Sequence, residues 1–485
     1  MVRLGFGRAM RAWRCSTAIP LLALVALTAC GGGGGSPPAP PPPPANRAPA
    51  FTSPATASVG ENVASSFYQA AATDPDGDAL TYSIAGGADA ARFSISASGQ
   101  LSFVAPPNFD LAADADGDNV YQVQLRASDA SLSATLSLAV TVTNSREGIA
   151  VTRVATGFSN ATAIAPVSND AALVAERDGA IYQLNLQTGA RTLLIQIPAL
   201  GSVGVTALAV APTFAADGSF VVMFMASNGA LRIQRYFRNV GGITIADPLG
   251  DVLTQAAPSY AGGGWLRIEA DGRILAATGD AGGSGDPVGS AQNPAVRLGK
   301  LLIFTRNPDP FAGGSPLFYF TSTLASGLRQ PNGGSAFNGG VLIADRGETT
   351  AEEINFFPAG SAGLNYGWPF KEGTRIVRGT PPAGVTDPVV EYLRGTGFRL
   401  GQAVVGGAVL RDQYVFADRS GAIFAVNLSA IQAGSVVPIA TIERRDADFA
   451  PDTGTIGTPV AVVAGVGGML YILDSDGEVF RVSAS

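Results

Sequence analysis

The chain of 485 residues contains no histidine, which restricts the chemistry that its other side chains can perform. Histidine is the side chain whose unperturbed pKa lies nearest to neutrality, and it is the usual proton acceptor for a substrate hydroxyl group. Its absence excludes Ser-His-Asp triads and histidine-ligated metals. Any acid–base chemistry must therefore depend on carboxylates, other polar side chains or a bound cofactor.

Acidic side chains of the N-terminal part cluster around two glycine turns, with sequences DPDGD and DADGDN. The set comprises Glu61, Asp74, Asp76, Asp78, Asp114, Asp116, Asp118 and Asp129. Ca²⁺ takes six to eight oxygen ligands, and aspartates on tight turns supply such oxygens at low strain. The alternative is that these carboxylates only accept hydrogen bonds from the backbone of their own turns. We predict at least one calcium site in this part of the chain.

The elements that must position these acids are short β-strands. Residues 46–144 contain runs of alternating apolar and polar residues, at 80–84, 121–125 and 134–142, separated by Gly, Pro, Asp and Ser. Alternation with a period of two at this spacing predicts a β-sandwich of about 100 residues. No stretch shows a sustained helical period.

This first unit resembles the cadherin family in its bacterial cadherin-like form. In that family an early Glu, a D-x-D-G-D turn and a late S-D place calcium at a domain end; Glu61, the turn at 74–78 and Asp129 carry the resemblance. The sequence departs from the family at residues 143–147, where TNSRE replaces the acidic linker D-x-N-D-N. The resemblance therefore implies calcium within the sandwich and does not extend to the linker.

Residues 150–485 form a second unit that repeats a tight turn followed by a small, apolar and aromatic strand. Asp-Gly turns lie at 178–179, 271–272 and 476–477, and a Ser-Gly turn lies at 420–421. Such turns between apolar strands are typical of hairpins. Their recurrence predicts a β-propeller, since about 40–55 residues build one four-stranded blade. Six blades fit this length best, and seven is the alternative.

Several stretches of the second unit, in order, resemble the glucose/sorbosone dehydrogenases, which are quinoproteins that use pyrroloquinoline quinone (PQQ). They are ERDG at 176–179, GDAGG at 279–283, GLRQPNG at 327–333, DRGE at 345–348, EEIN at 352–355, NYGWP at 365–369 and ADRSG at 417–421. The resemblance implies an active centre at the top of the propeller, where a planar cofactor stacks and cations hold its carboxylates. Arginine suits that role because its fork pairs with carboxylates bidentately.

Carried over position by position, the resemblance implies a set of cofactor-binding residues and a calcium ligand. The cofactor-binding residues are Arg329, Gln330, Tyr366, Trp368 and Arg419. Gly347, with the carbonyl groups around Asp345, matches the loop that supplies calcium oxygens. Tyr366 and Trp368 could equally fill the space between blades without contacting a ligand.

The base of the family is missing from this sequence. Where the family has H-x-G-G, residues 261–264 read AGGG. Loss of a general base typically costs ~10²–10⁴-fold in rate. Asp280 and Asp286 are the candidates for a substitute, provided that a buried site raises a carboxyl pKa. We expect a member that binds a carbohydrate or a protein partner without catalysis; the alternative is a PQQ-dependent aldose dehydrogenase with an unrecognised base.

The N-terminus is predicted to direct the protein to a bacterial cell envelope. Four arginines, an apolar run at 19–27 and the sequence LTAC at 27–30 are typical of a signal peptide over residues 1–29. LTAC resembles a lipobox, which implies acylation of Cys30 and attachment to the lipid bilayer; the alternative is an ordinary signal with an incidental cysteine. Residues 30–45 are a Gly- and Pro-rich tether. Gly31, which follows the cysteine in place of Asp, favours the outer membrane.

Charge and cysteine content exclude further classes of function. The formal net charge is −7 at pH 7, and basic clusters are few, which argues against nucleic acid as a partner. Cys15 lies in the expected signal peptide and Cys30 is the expected acylation site. We therefore expect no disulfide and no cysteine-ligated metal in the mature chain.

Overall fold

A computed structural model describes residues 44–484 except 199, 240, 248–250, 258, 261 and 307–318. The expected signal peptide, Cys30 and most of the expected tether lie outside the described residues. Residues Arg47–Ser485 form one compact unit, and its regular structure is almost entirely β. Among the described residues, no helix has the length and apolar character needed to cross a bilayer.

Residues 50–143 fold into a β-sandwich with one apolar core. Its strands are β1 (Ala50–Phe51), β2 (Thr56–Gly60), β3 (Tyr68–Gln69), β4 (Ala72–Thr73), β5 (Thr81–Gly86), β6 (Phe93–Ile95), β7 (Gln100–Phe103), β8 (Val120–Ser128) and β9 (Ser133–Thr143). One sheet has the order β2-β9-β8-β5, with β2 parallel to β9, and the other has the order β3-β7-β6. Alternate residues of β8 are buried, as the period-two pattern predicts. Leu101, Val123 and Leu138 join both sheets in the core.

The remaining described strands belong to the second unit. Strand β10 (Ile149–Ala155) comes first, followed by β11 (Ala161–Pro166), β12 (Ala171–Glu176), β13 (Ala180–Asn185), β14 (Arg191–Gln196), β15 (Leu200–Val210), β16 (Phe220–Ala226), β17 (Ala230–Arg238), β18 (Thr244–Ala246), β19 (Leu253–Ala256), β20 (Trp265–Ile268), β21 (Ile274–Thr278), β22 (Lys300–Arg306) and β23 (Tyr319–Ser326). The later strands are β24 (Pro331–Phe337), β25 (Gly340–Asp345), β26 (Ala351–Phe357), β27 (Leu364–Asn365), β28 (Lys371–Glu372), β29 (Arg375–Ile376), β30 (Val390–Leu393), β31 (Val404–Leu410), β32 (Gln413–Asp418), β33 (Ile423–Asn427), β34 (Glu443–Arg444), β35 (Pro459–Ala464), β36 (Leu470–Asp474) and β37 (Val479–Ala484). One short helix, α1 (Phe214–Asp217), connects β15 to β16.

These strands form the six blades of a β-propeller. The sheets are β11–β14, β15–β18 with β19 also on β17, β20–β23 with β27 beside β23, β24–β26 with β30, β31–β34, and β35–β37 with β10. The innermost strand of every blade lines one central cavity of about 320 Å³. The all-β prediction is therefore confirmed, and the described strands give six blades.

Strand β10 closes the ring from the N-terminal side. It pairs antiparallel with β37, so the last blade takes three strands from the C-terminus and its outermost strand from residues 149–155. The Asp-Gly turn before β37 requires glycine at its second position. Gly477 has φ +87°, and a Cβ at this position would lie 2.0 Å from the Phe158 carbonyl oxygen.

A buried ion-pair cluster joins the sandwich to the fifth blade. The Arg445 side chain is 6% exposed, and its guanidinium lies 2.5 Å from Asp448 Oδ2, 2.9 Å from Glu147 Oε2 and 3.4 Å from Asp110 Oδ2. The Arg444 amide donates to the Asp110 carbonyl oxygen at 2.8 Å. Both carboxylate oxygens of Asp110 are buried without a hydrogen-bond donor among the described residues. With Glu443 Oε2 at 3.4 Å, one guanidinium therefore serves four carboxylates, from the sandwich, the connecting segment and the propeller.

Candidate ligand-binding site on the propeller axis

A cavity of about 210 Å³ lies at one end of the propeller axis, and every blade contributes to its wall. Its charged side chains are Arg177, Arg346 and Arg419, and no carboxylate lines it among the described residues. None of these three guanidinium groups has an ion-pair partner in the described part of the chain, and Arg346 Nε is buried without any partner. Three guanidinium groups that face one small volume, with no carboxylate on its described wall, favour an anion there.

The three arginines occupy the same place in three different blades. Each follows the acidic residue that ends the second strand of its blade: Glu176 ends β12, Asp345 ends β25 and Asp418 ends β32. These acids are buried and accept hydrogen bonds from the backbone that leads into the innermost strand. Their donors are Ser159 N at 2.6 Å, Arg329 N at 2.9 Å with Gln330 N at 2.7 Å, and Gln402 N at 2.9 Å with Ala403 N at 2.8 Å, respectively. Each acid fixes the strand end, so that the next residue projects an arginine onto the axis.

The structure distributes the predicted cofactor residues over two layers. Gln330 and Arg419 line the cavity. Tyr366 and Trp368 are 2% and 3% exposed and lie behind the wall. The Tyr366 hydroxyl donates to the Phe356 carbonyl oxygen at 3.1 Å, and its ring belongs to the core between the third and fourth blades. Neither aromatic ring offers a face to the cavity.

Arg329 lies in the same second layer. Its Nη1 donates to Gly347 O at 2.8 Å, to Arg346 O at 3.2 Å and to Gln330 Oε1 at 3.3 Å. Its guanidinium carbon lies 5.3 Å from the centre of the Trp368 ring, within the range of a cation–π contact. Arg329 therefore holds the wall from behind, whereas Arg346 faces the cavity.

The carbonyl oxygens around Gly347 do not fit a calcium ion. The resemblance assigns them to calcium, but Gly347 O accepts hydrogen bonds from Arg329 and, at 3.3 Å, from Arg394 Nη1. A guanidinium nitrogen lies among these oxygens at hydrogen-bond distances of 2.8–3.3 Å, and three oxygens are fewer than the six to eight that Ca²⁺ takes. Two guanidinium groups already supply the positive charge at this position.

Both candidate bases are used inside the protein. Asp280 is buried; its Oδ2 accepts the Trp368 indole N–H at 2.7 Å and its Oδ1 accepts Gly282 N at 2.8 Å. Burial raises the pKa of Asp280 to about 6. Asp286 is buried too, and its two oxygens accept Ser290 N at 2.9 Å and Ala291 N at 2.8 Å. Neither carboxylate lines the cavity, so neither reaches a ligand in it.

The segment that replaces the family base is described from Gly262 onward, and its residues 262–264 contribute only backbone to the wall. Gly262, Gly263 and Gly264 line the cavity with φ of +112°, +86° and +150°. A Cβ on Gly264 would lie 2.7 Å from Met223 Sδ, and one on Gly263 would lie 3.0 Å from Gln330 Cα. Side chains are therefore excluded at these two positions. Among the described lining residues, the cavity presents three guanidinium groups and no general base.

The acidic residues of the sandwich fall into four groups along the chain. The ligand atoms of Asp114, Asp116 and Asp118 lie within 4.8 Å of one another. The turn of Asp74, Asp76 and Asp78 is engaged by Arg47, whose guanidinium lies 2.8 Å from Asp76 Oδ1 and lowers the Asp76 pKa. Asp129 caps its own turn, accepting Ser131 N at 2.7 Å. Glu61 accepts Ser145 N at 2.8 Å and Phe109 N at 3.0 Å near the junction with the propeller. The predicted acids therefore do not form one site.

Two of the three arginines on the axis were missed from the sequence. Arg177 and Arg346 sit in the quoted segments ERDG and DRGE, and Arg419 sits in the segment ADRSG. The signal that identifies all three is an acid–arginine pair at the end of the second strand of a blade. It repeats across blades and requires no family motif.

Comparison with known proteins places the propeller in a family. The family model for glucose/sorbosone dehydrogenase matches residues 158–481, well over half of the chain. The PQQ-bound aldose sugar dehydrogenase of Streptomyces coelicolor is 21% identical, with a TM-score of 0.54 over 70% of this chain and 99% of that chain. A glucose dehydrogenase-like oxidoreductase of Thermus thermophilus is 23% identical, with a TM-score of 0.52 over 69% and 100% of the two chains.

A third solved structure extends the likeness to fungi. The calcium structure of a Trichoderma reesei carbohydrate-active enzyme of family AA12 is 17% identical, with a TM-score of 0.52 over 70% of this chain and 96% of that chain. At these identities the solved structures show the propeller fold. The match of the family model over residues 158–481 shows membership of the family as well as the fold. This chain therefore belongs to the glucose/sorbosone dehydrogenase family.

Proposed function

We propose that the propeller binds a planar ligand with several carboxylates, of which PQQ is the type, and that it does not oxidise sugars by the route of its family. The observation that carries the proposal is the convergence of Arg177, Arg346 and Arg419 on one cavity whose described wall contains no carboxylate. A multiply carboxylated ligand supplies the missing negative charge. When bound, PQQ would supply an electron-accepting quinone; the residues of this chain would hold its carboxylates.

The arginines suit this task by geometry and by charge. Each guanidinium presents a planar fork that pairs with a carboxylate through two hydrogen bonds. Burial lowers the pKa of Arg346, since a charged group loses hydration there, but a guanidinium remains protonated at neutral pH. A carboxylate that meets Arg346 would also satisfy its buried, unpartnered Nε. The cavity thus favours an anion over water.

Among the described residues that line it, the same cavity offers no group that could remove a proton from a sugar hydroxyl. A general base must lie ~2.6–3.2 Å from the proton it removes, and the wall at 262–264 is bare backbone. The alternative function, a PQQ-dependent aldose dehydrogenase, draws support from Asp280, whose raised pKa of about 6 is suited to a base. Its two oxygens are occupied by Trp368 and Gly282, and we therefore favour binding.

We further propose the setting in which the propeller works. The protein is a lipoprotein of the bacterial cell envelope, held at the outer membrane through acylated Cys30. The cadherin-like sandwich binds calcium through the clustered carboxylates of Asp114, Asp116 and Asp118. The partner of the whole protein is a carbohydrate or a cell-surface protein. The lipobox, the tether and the acidic cluster support these proposals.

Titration of the purified protein with PQQ tests the proposed function. Binding, followed by quenching of tryptophan fluorescence and by quinone absorbance, should weaken about 10-fold or more in Arg346→Ala and in Arg419→Ala, because each loses charge-assisted hydrogen bonds worth about 1.5–3 kcal/mol. Arg273→Ala is the matched control, since Arg273 forms an exposed pair with Asp271 outside the cavity. A dye-linked screen of aldoses should show no turnover.

Two results would overturn the proposal. The first is the absence of PQQ binding by the unmodified protein. The second is robust PQQ-dependent turnover of an aldose that Asp280→Asn abolishes, which would establish the dehydrogenase instead and identify Asp280 as its base.

A further inference from the structure

An oxygen cage surrounds one nitrogen of Arg329 directly behind the cavity wall. Arg329 Nη1 has three oxygens around it, Gly347 O at 2.8 Å, Arg346 O at 3.2 Å and Gln330 Oε1 at 3.3 Å. Backbone carbonyl and side-chain amide oxygens that converge in this way are the donor set of a hard cation. In this chain, the cation inside the cage is a guanidinium that is covalently part of the protein.

The rest of the side chain is held on its other face. The Arg329 guanidinium lies over the Trp368 ring, and the Trp368 indole N–H is fixed by Asp280 Oδ2 at 2.7 Å. The Arg329 amide donates to Asp345 Oδ2 at 2.9 Å. A second guanidinium, that of Arg394, donates to Gly347 O and pairs with the buried Glu352. These contacts hold the Arg329 side chain and the Gly347 carbonyl group in place.

The cage is also part of the proposed binding site. Gln330 and Arg346, which contribute two of the three oxygens, both line the cavity on the axis. Whatever cation occupies the cage therefore fixes the position of two lining residues. It also adds a positive charge behind the wall, where a carboxylated ligand would benefit from it.

We propose that the Arg329 guanidinium replaces a divalent cation in this wall, so that ligand binding on the axis is independent of calcium. The inference rests on the proposed function, because it concerns the same cavity. Arginine keeps its charge at any physiological pH and needs no metal supply. Its N–H groups satisfy the three oxygens at 2.8–3.3 Å, and three oxygens are fewer than the six to eight that Ca²⁺ takes.

PQQ binding in two buffers tests the inference. The dissociation constant of the unmodified protein should agree within twofold between 1 mM Ca²⁺ and excess EGTA. Arg329→Gln, which removes the charge but keeps a donor amide, should weaken binding at least 10-fold in EGTA; Arg329→Lys should retain most of it. The matched control is Arg297→Gln, because Arg297 also donates to a backbone carbonyl, Pro294 O at 3.3 Å, but lies outside the cage.

The outcomes separate the inference from the proposed function. Binding of PQQ only in the presence of Ca²⁺ would overturn the inference and leave the proposed function intact. Absence of PQQ binding in both buffers would overturn the proposed function.

Terbium binding, measured without PQQ, then tests the inference independently of the proposed function. Trp368 lies beside the cage, and residues 46–144 contain no tryptophan, so terbium luminescence excited at 295 nm reports a metal in the propeller. Terbium luminescence should be the same in the unmodified protein and in Trp368→Phe, because no terbium should bind beside Trp368. A terbium signal that disappears in Trp368→Phe would place a metal in the cage and refute the replacement.

Discussion

Replacing Arg445 by alanine should uncouple the sandwich from the propeller. This guanidinium lies 2.5 Å from Asp448, 2.9 Å from Glu147 and 3.4 Å from both Asp110 and Glu443. Burial works to lower its pKa, but the facing carboxylates of Asp448 and Asp110 raise the Arg445 pKa above its usual value. The facing carboxylates therefore stabilise the charged form of Arg445. Removal of the guanidinium leaves these carboxylates buried without a positive charge to pair with.

The expected cost is large because the pairs are buried. Removal of one partner from a buried ion pair typically destabilises a protein by about 3–5 kcal/mol. Arg445→Ala should lower the free energy of unfolding by this amount in urea, measured on the full chain. Arg273→Ala is the control, since that side chain is 47% exposed and its pair with Asp271 should be worth less than about 1 kcal/mol.

Asp110 offers an internal check on the same reasoning. Burial and the neighbouring Asp448 raise the pKa of Asp110 to about 8. Because the pKa of Asp110 is higher in the folded protein than its unfolded value near 4, protonation of Asp110 stabilises the folded state. This contribution to the free energy of unfolding is complete below about pH 4 and is lost as the pH rises towards 8. Asp110→Asn should reduce the pH dependence of the free energy of unfolding over that range. Added to Arg445→Ala, it should also restore part of the lost stability. Equal stability of Arg445→Ala and Arg273→Ala would refute the argument.

Three other predictions concern separate parts of the chain. The tryptophan emission should titrate with a midpoint near pH 6 and should cease to do so in Asp280→Asn, because burial raises the pKa of Asp280, which accepts the Trp368 indole N–H; an unchanged titration in that variant would assign it elsewhere. Millimolar Ca²⁺ should raise the melting temperature of the full chain, since ligand at 100 times its Kd adds ~2.7 kcal/mol, and Asp116→Ala with Asp118→Ala should abolish the rise; identical melting in calcium and chelator would leave these acids as turn caps. Fatty acid should be found on Cys30 by mass spectrometry, and recovery of unacylated Cys30→Ala in the membrane fraction would contradict the anchor.

Local patterns were sufficient to predict the all-β fold and the repeated blades. Period-two alternation and Asp-Gly turns act over a few residues, and strands β8 and β37 follow the patterns that predict them. The pairing of β10 with β37 joins residues at opposite ends of the propeller, and no local pattern carries that information.

The candidate site was predicted in part, for a physical reason. Arg419 and Gln330 follow motifs of fixed position, and the structure places both on the cavity wall. The role of Arg329 depends on three oxygens from neighbouring loops, which only the folded backbone brings together. Arg177 and Arg346 could have been predicted from the sequence, since an acidic residue at the end of a strand precedes each of them. A comparison between blades, without reference to a family, reveals them.

The parallel pairing of β2 with β9 determines how the sandwich responds to force. The chain enters the sheet at Thr56 and leaves it at Thr143, and because the two strands run in the same direction these points lie at opposite ends of the ladder. Tension between an anchored N-terminus and the propeller would pull the strands past each other lengthwise. All five residue pairs from Thr56–Ala139 to Gly60–Thr143 would then share the load at once. Such a ladder must break as a whole, in contrast to a hairpin that opens one pair at a time, which suits a spacer that must stay folded while it is stretched.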